Sequence, residues 1–209
     1  MYGYHFTADR LRNGEPIPAI GEWLEYDGDI VPCRSGLHAS EHPFDALQYA
    51  PGNLLHRVEL EGDLQSHGEP VDKWVGRCRR ILATIDAEPL LQEFARWCAL
   101  QVIHLWDAPA VVREYLETGD ESKRAVAEEA AREATRTETS VAASVAALAA
   151  LAARAAARTA TLVAAWGAAR TATLVAASAA TWVTARESVL EAQRQHFEAM
   201  VTEAFSKRD

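Results

Sequence analysis

The stretch Leu54-Leu55-His56-Arg57-Val58-Glu59-Leu60 is the clearest β-strand in the sequence and sets the fold of the N-terminal region. Its apolar and polar side chains alternate, which is typical of a strand with one buried face. Glu61-Gly62-Asp63 follows directly and predicts a turn. After this strand, residues 79–85 form a second strand candidate. Before it, Ser40 is the expected N-cap of a short helix.

Glycine and proline interrupt the first 85 residues so often that long helices are excluded there. The pattern changes at Asp86, a candidate N-cap, after which apolar residues follow helical spacing. A second short helix is predicted over 108–118, with its end at Gly119. The sequence therefore predicts an α+β domain over 1–85 and a short helical segment over 86–120.

The remaining region, 121–209, is predicted to consist of long Ala-rich helices. It contains 30 alanines, no proline and one glycine, Gly167. Positions from Val141 to Val201 that alternate steps of four and three are largely apolar or small, as in a coiled coil. A hairpin that bends near Gly167 and a long rod that self-associates both fit this pattern. The chain is thus expected to be α+β, with an all-helical second part, and to form a homo-oligomer.

The charge balance excludes a general nucleic-acid binder. Lys and Arg number 21 against 30 Asp and Glu, a net charge of −9, whereas such binders carry a basic face. The longest uncharged runs of the apolar region have 15 residues, fewer than the ~20 that span a membrane. The three cysteines form no CxxC pair and fit no zinc spacing. We therefore expect a cytoplasmic protein with no membrane contact and no metal site.

The most distinctive stretch runs from Gly36-Leu37-His38-Ala39-Ser40 to Asp45-Ala46-Leu47-Gln48-Tyr49. Together with Tyr4-His5-Phe6-Thr7 and the strand 54–60, it resembles an uncharacterised domain of phage and prophage proteins. The segment 94–100 and the helices after it resemble segments shared by phage proteins and bacterial immunity proteins. These resemblances imply a non-enzymatic accessory protein, with a role in host interaction or anti-defence. It would bind a protein partner or a small anionic, nucleotide-like ligand.

The same layout is similar to the NAD-binding core of ADP-ribosyltransferases of the poly(ADP-ribose) polymerase kind. That resemblance implies that His5 binds the nicotinamide ribose, that His38 replaces the family's first tyrosine, and that Tyr49 stacks on nicotinamide. No specific motif marks the catalytic glutamate of that family. Glu69, directly before Pro70, is the first candidate, and Glu59 and Glu61 are the others. NAD is the expected cofactor under this alternative only, and otherwise no cofactor is expected.

A cluster of arginines, Arg77, Arg79 and Arg80, lies at the start of the strand candidate that contains Ile81. Guanidinium groups suit phosphate, so these residues are candidates for ligand binding. Salt bridges to the excess carboxylates of the domain are the alternative. The sequence leaves three functions open: a binding accessory protein, an ADP-ribosyltransferase-like enzyme and a purely structural assembly protein.

Overall fold

A computed structural model describes residues 1–137, 167–169, 171–172 and 182–208 of the chain. Seven strands and one short helix occupy residues 2–86, and longer helices follow them, so the α+β prediction is confirmed. The strands are β1 (Tyr2–Thr7), β2 (Trp23–Glu25), β3 (Leu37–Ala39), β4 (Leu54–Glu61), β5 (Gln65–His67), β6 (Lys73–Gly76) and β7 (Cys78–Asp86). The helices are α1 (Pro43–Leu47), α2 (Glu88–Leu100), a 3-10 turn (Ile103–Leu105), α3 (Ala110–Thr118), α4 (Glu121–Thr137) and α5 (Trp182–Ser206).

The main sheet is antiparallel, with strand order β1-β4-β7-β2. The strand predicted over 54–60 is its β4, and the strand predicted over 79–85 lies within β7. Opposite the step from Arg57 to Val58, β7 carries one extra residue, Leu82. Such a bulge moves the following side chains to the other face of the strand. The extra residue places Ile81 beside Val58 and Ile85 beside Leu55, two residues that lie on opposite faces of β4.

A smaller antiparallel sheet has the order β3-β6-β5. The residue after β3, Ser40, exchanges two backbone hydrogen bonds with Tyr4 of β1, at 2.7 and 2.9 Å. The prediction of Ser40 as a helix N-cap is therefore wrong, because its extended backbone pairs with β1 and helix α1 begins after His42. Gly3 permits the close approach, since a Cβ there would lie 2.5 Å from the Ser40 carbonyl oxygen.

Helices α2 and α3 follow the predicted pattern. The Asp86 carboxylate accepts a hydrogen bond of 3.0 Å from the Glu88 backbone N–H, so Asp86 caps α2 as expected. Helix α2 buries the apolar face that includes Leu91, Phe94 and Cys98. Helix α3 lies within the predicted range and ends at Gly119, whose φ of 68° gives the left-handed cap that glycine favours.

The chain divides into two compact units, and one of them contains both ends of the sequence. We call Met1–Glu88 with Phe197–Asp209 the N-terminal unit, and Pro89–His196 the helical unit. The sequence predicts one helical region over 121–209. The pattern of that region does not indicate that residues 197–209 belong to the unit that contains the sheets. The predicted domain boundaries at 85 and 120 remain predictions.

The last turns of α5 complete the core of the N-terminal unit. Phe197 is fully buried, and its ring meets that of Phe44 in α1 edge to face, with 6.3 Å between centroids. Phe205 is 2% exposed and lies 6.4 Å from the Tyr4 ring. The Nδ1 atom of His42 is 2.7 Å from a carboxylate oxygen of Glu198. Aromatic contacts and polar contacts thus anchor the end of α5 to β1 and α1.

Helix is confirmed at the two ends of the Ala-rich region, in α4 and α5. The bend near Gly167, the repeated spacing from Val141 to Val201 and the choice between hairpin and rod lie largely outside the described residues. They remain predictions. Among the helices that the structure describes, none has the length and apolar character needed to cross a membrane.

Candidate functional site

A cavity of about 480 Å³ opens in the N-terminal unit. Its wall comes from β1, β3, β6 and β7, from the residues around β2 and from the segment after α1. The sequence elements that form it are far apart along the chain and meet because β1 bonds to the residue after β3. The polar lining is dominated by cations and by aromatic or imidazole rings, namely Arg10, Arg12, Arg34, Lys73, Arg79, His5, His38, Tyr26 and Tyr49.

Five cationic side chains line the cavity, and in the part of the chain that the structure describes no Asp or Glu does. Three of the cations, Arg10, Arg12 and Arg34, are exposed. The other two are buried: Lys73 is 8% exposed and Arg79 is 7% exposed. The protein as a whole carries a net charge of −9. The cavity therefore concentrates positive charge within an acidic protein.

Arg79, on β7, is fixed by a backbone contact. Its Nη1 atom donates a hydrogen bond of 2.7 Å to the carbonyl oxygen of His38 in β3. Burial lowers the pKa of Arg79 to about 10, so the guanidinium remains charged at neutral pH. The charge is held in place before any ligand arrives.

Tyr49 is held by two side chains, Asp72 and Lys73. Its hydroxyl donates a hydrogen bond of 2.6 Å to Asp72, and the same carboxylate oxygen accepts a bond of 2.8 Å from Gln48. The Lys73 ammonium lies 3.6 Å from the centre of the Tyr49 ring, a cation–π contact. Burial and the Asp72 carboxylate raise the pKa of Tyr49, so it remains a phenol. One face of the ring is therefore occupied by Lys73.

Two histidines of the cavity are held in the neutral form. Burial, followed by the charges of Lys73, Arg79 and Arg12, lowers the pKa of His38 to about 4. Burial and the charge of Arg79 lower the pKa of His5 well below its usual range. The buried Nε2 atom of His38 has no hydrogen-bond partner among the described residues. At neutral pH the cations of the cavity are thus flanked by uncharged imidazoles.

The structure brings together four of the residues predicted from sequence. His5, His38, Tyr49 and Arg79 all line the cavity. The same cavity brings in Lys73, which was not predicted, on the face of Tyr49. The layout derived from the family resemblance therefore corresponds to one site in space, although the roles assigned to its residues remain predictions.

The other three predicted residues do not line the cavity. Arg77 donates a hydrogen bond of 2.6 Å to Asp63, and Arg80 donates one of 2.7 Å to Glu59. These contacts match the alternative prediction of salt bridges to the excess carboxylates. Glu69 is exposed in the connection between β5 and β6. Its catalytic role stays a prediction, and this structure does not place it beside the other candidates.

Sequence reasoning missed most of the cations of the cavity: Arg10, Arg12, Arg34 and Lys73. Arg10 and Arg12 lie two positions apart, but Arg34 and Lys73 lie far from them and from each other in the sequence. Only the antiparallel pairing of the strands brings them to one wall. Their sequence carries no periodic or motif signal that could have found them.

The arrangement is suited to binding an anion. Charged guanidinium and ammonium groups are strong donors to phosphate or carboxylate oxygens. Within the ranges that the structure describes, no group of three or more His, Cys, Asp or Glu residues could hold a metal ion. The cations that line the cavity can bind an anion through charge and hydrogen bonds.

Comparison of the chain with curated proteins found no match. Comparison with solved structures also found none. The N-terminal part does match a described family, and the match includes the whole strand-bearing segment and all residues that line the cavity. Residues 1–93 match the family described as "Domain of unknown function (DUF7666)".

Proposed function

We propose that the N-terminal unit is a non-enzymatic binding module for a small anionic, nucleotide-like ligand, which it takes up in the cavity. One observation carries the proposal: five cations line the cavity, and among the described residues no carboxylate does. The proposal follows from charge and shape and assigns no chemical reaction to the site.

The burial of two of the cations is the first supporting step. A buried charge is costly unless a partner compensates it. No carboxylate of the described chain lies within 4.0 Å of the charged nitrogens of Lys73 or Arg79. Their neighbours are the Tyr49 ring and the His38 carbonyl, which carry no full negative charge. An anionic ligand would supply a full negative charge. Its attraction to the two cations would be strong because the protein interior has a low dielectric constant.

The size and the rings of the cavity are the second step. A volume of about 480 Å³ lies within the range of small-molecule sites, ~300–1,000 Å³. Tyr26 and Tyr49 supply aromatic surface, and Leu11, Leu24 and Leu37 supply apolar wall. Rings and apolar side chains suit a flat heterocycle, while the cations suit its phosphate. This combination favours a nucleotide over an inorganic ion alone.

An ADP-ribosyltransferase-like enzyme that uses NAD is the second candidate. It is favoured by the joint placement of His5, His38 and Tyr49 around one cavity. In that alternative a carboxylate must stabilise the positive charge that develops on the ribose, and the candidate Glu69 does not line the cavity. Measuring nicotinamide release from NAD separates the two candidates, because a binding module bound to NAD releases none.

The cellular role is a further part of the proposal. The resemblance to phage and prophage proteins supports an accessory role in host interaction or anti-defence, and the spacing from Val141 to Val201 supports self-assembly through the helices. A protein partner and a purely structural assembly are the remaining alternatives. Light scattering at high micromolar protein concentration tests self-assembly. A monomeric protein under these conditions would refute it.

The cavity itself offers a reporter for the binding experiment. Cys33 is exposed and lines the cavity, whereas the half-buried Cys78 does not. We expect AMP or NAD at millimolar concentration to slow maleimide alkylation of Cys33 and to leave Cys78 unchanged. The variant Arg12→Gln should lose this protection. The control Lys207→Gln, which removes one exposed charge from the same unit, should keep it.

Two readouts decide the result of this experiment. Besides alkylation, a ligand at 100 times its Kd stabilises the folded protein by about 2.7 kcal/mol, which is visible as a rise in Tm. If neither AMP, NAD nor ADP-ribose slows the alkylation of Cys33 or raises Tm, the proposal of a nucleotide-like ligand is refuted.

A further inference from the structure

Three cations that line the cavity together with His38 come from three separate segments of the chain. Arg12 lies in the connection from β1 to β2, Lys73 begins β6, and Arg79 is on β7. Arg79 donates to the His38 carbonyl oxygen at 2.7 Å. In the β3–β6 pair His38 is opposite Val75, so Lys73, two residues away, is a diagonal neighbour of His38 on the same face of the sheet.

The electrostatics of His38 agree with this placement. The charges of all three cations act to lower its pKa, in agreement with their shared position in the cavity lining. The charges of Arg79 and Arg12 act on His5 in the same direction. The other groups that face His38 are the neutral His5 and the backbone of Gly36, which accepts a hydrogen bond from the ring. All three cations line one cavity whose described lining has no Asp or Glu, and the Asp72 carboxylate is bonded to Tyr49 and Gln48 instead.

We propose that Arg12, Lys73 and Arg79 form a subsite for a terminal phosphomonoester group of the ligand. This inference rests on the proposed function and makes it more specific, because it names the chemical group that the cations recognise. It distinguishes a ligand that ends in a free phosphate from one whose phosphate is esterified on both sides.

The number of charges and donors favours a monoester over a diester. At neutral pH a phosphomonoester carries about −1.5 to −2 charges and three terminal oxygens that accept hydrogen bonds. A diester carries one charge and two such oxygens. The phosphomonoester therefore neutralises more of the positive charge of three cations in a cavity without a carboxylate. Each of its terminal oxygens can also face a different cation.

The burial of the cations suggests how they act. Lys73 and Arg79 are more than nine-tenths buried and are held by the Tyr49 ring and the His38 carbonyl, so their positions are fixed before binding. Such preorganised donors lose little conformational freedom when a ligand binds. Arg12 is exposed, and its long side chain can close over the phosphate after entry. The subsite therefore combines two fixed cations, Lys73 and Arg79, with one mobile cation, Arg12.

The test compares two probes that differ in one methyl group. AMP ends in a phosphomonoester, and adenosine 5′-(methyl phosphate) is the matched diester. Calorimetric titration of the full chain at pH 7.5 and fixed ionic strength should give at least tenfold tighter binding of AMP. Arg12→Gln and Lys73→Met should each reduce the affinity for AMP at least tenfold and bring the two probes close to equal affinity. Lys207→Gln should leave both affinities unchanged.

The outcomes separate this inference from the function on which it rests. If the methyl ester binds as tightly as AMP, or if NAD binds and AMP does not, the phosphomonoester subsite is wrong and the anion-binding function stands. If none of the three binds, both fail. Because Lys73 is buried, its variant could lose the fold, so far-UV circular dichroism accompanies it. The exposed Arg12 provides the test that does not depend on Lys73.

Discussion

Lowering the pH from 7 to 5 should destabilise the N-terminal unit through a histidine outside the cavity, His56. Its side chain is 1% exposed in the middle of the main sheet. Its Nε2 atom is 2.8 Å from the hydroxyl of Thr7, and its Nδ1 atom is 2.8 Å from the hydroxyl of Thr84. Burial and the charge of Arg79 lower its pKa from 6.5 to about 4. The folded protein therefore keeps His56 neutral over the range in which an exposed histidine takes up a proton.

The sign and size of the effect follow from this difference. Between pH 6.5 and about 4 the unfolded chain binds a proton that the folded chain does not, so stability falls as the pH falls through that window. Each pKa unit corresponds to about 1.4 kcal/mol. The loss from His56 alone is about 2 kcal/mol at pH 5 and about 3 kcal/mol when complete. His5 and His38 act in the same direction.

Urea unfolding followed by tryptophan fluorescence at pH 7 and pH 5 measures the contribution of His56. The variant His56→Gln cannot titrate and keeps a polar group between the two threonines. It should lose about 2 kcal/mol less than the wild type between the two pH values, whatever its stability at pH 7. His67→Gln, at an exposed position of β5, should behave as the wild type. Equal losses in the wild type and His56→Gln would refute the reasoning.

Two further changes test the fold. Phe197→Ala should reduce the free energy of unfolding of the N-terminal unit by about 3–5 kcal/mol in the same urea assay, because the ring is fully buried against Phe44; a loss below 1 kcal/mol would contradict the placement of the end of α5. Gly119→Ala should cost the helical unit about 1–2 kcal/mol, since only glycine adopts its φ of 68° without strain, and an unchanged Tm would argue against the left-handed cap.

Local signals predicted much of the fold. The alternation over 54–60 and the turn after it identified β4, and Asp86 and Gly119 marked a helix start and a helix end where the structure has them. These signals depend on residues that are neighbours in sequence. The assignment of Ser40 as an N-cap was wrong because the Ser40 backbone is hydrogen-bonded to Tyr4, 36 residues earlier. No local sequence pattern indicates such long-range pairing.

The site was predictable only in part, and for the same physical reason. His5, His38 and Tyr49 could be found because a family resemblance supplied their long-range relation. Lys73 could not, because its place beside His38 depends on the register of β3 against β6 and on the packing of α1. The sequence also could not show that Arg79 turns into the cavity while Arg77 turns toward Asp63.

The division of the N-terminal unit between the two ends of the sequence has a consequence for biosynthesis. A ribosome makes residues 1–88 first, but Phe197 and Phe205, which close the core over Phe44 and Tyr4, leave it only after all of 89–196. Until then the nascent sheet keeps an uncovered aromatic surface of the kind that chaperones bind. The N-terminal unit can therefore complete its fold only after the last turns of α5 have been made. Its folding is thus coupled to translation of the whole helical unit.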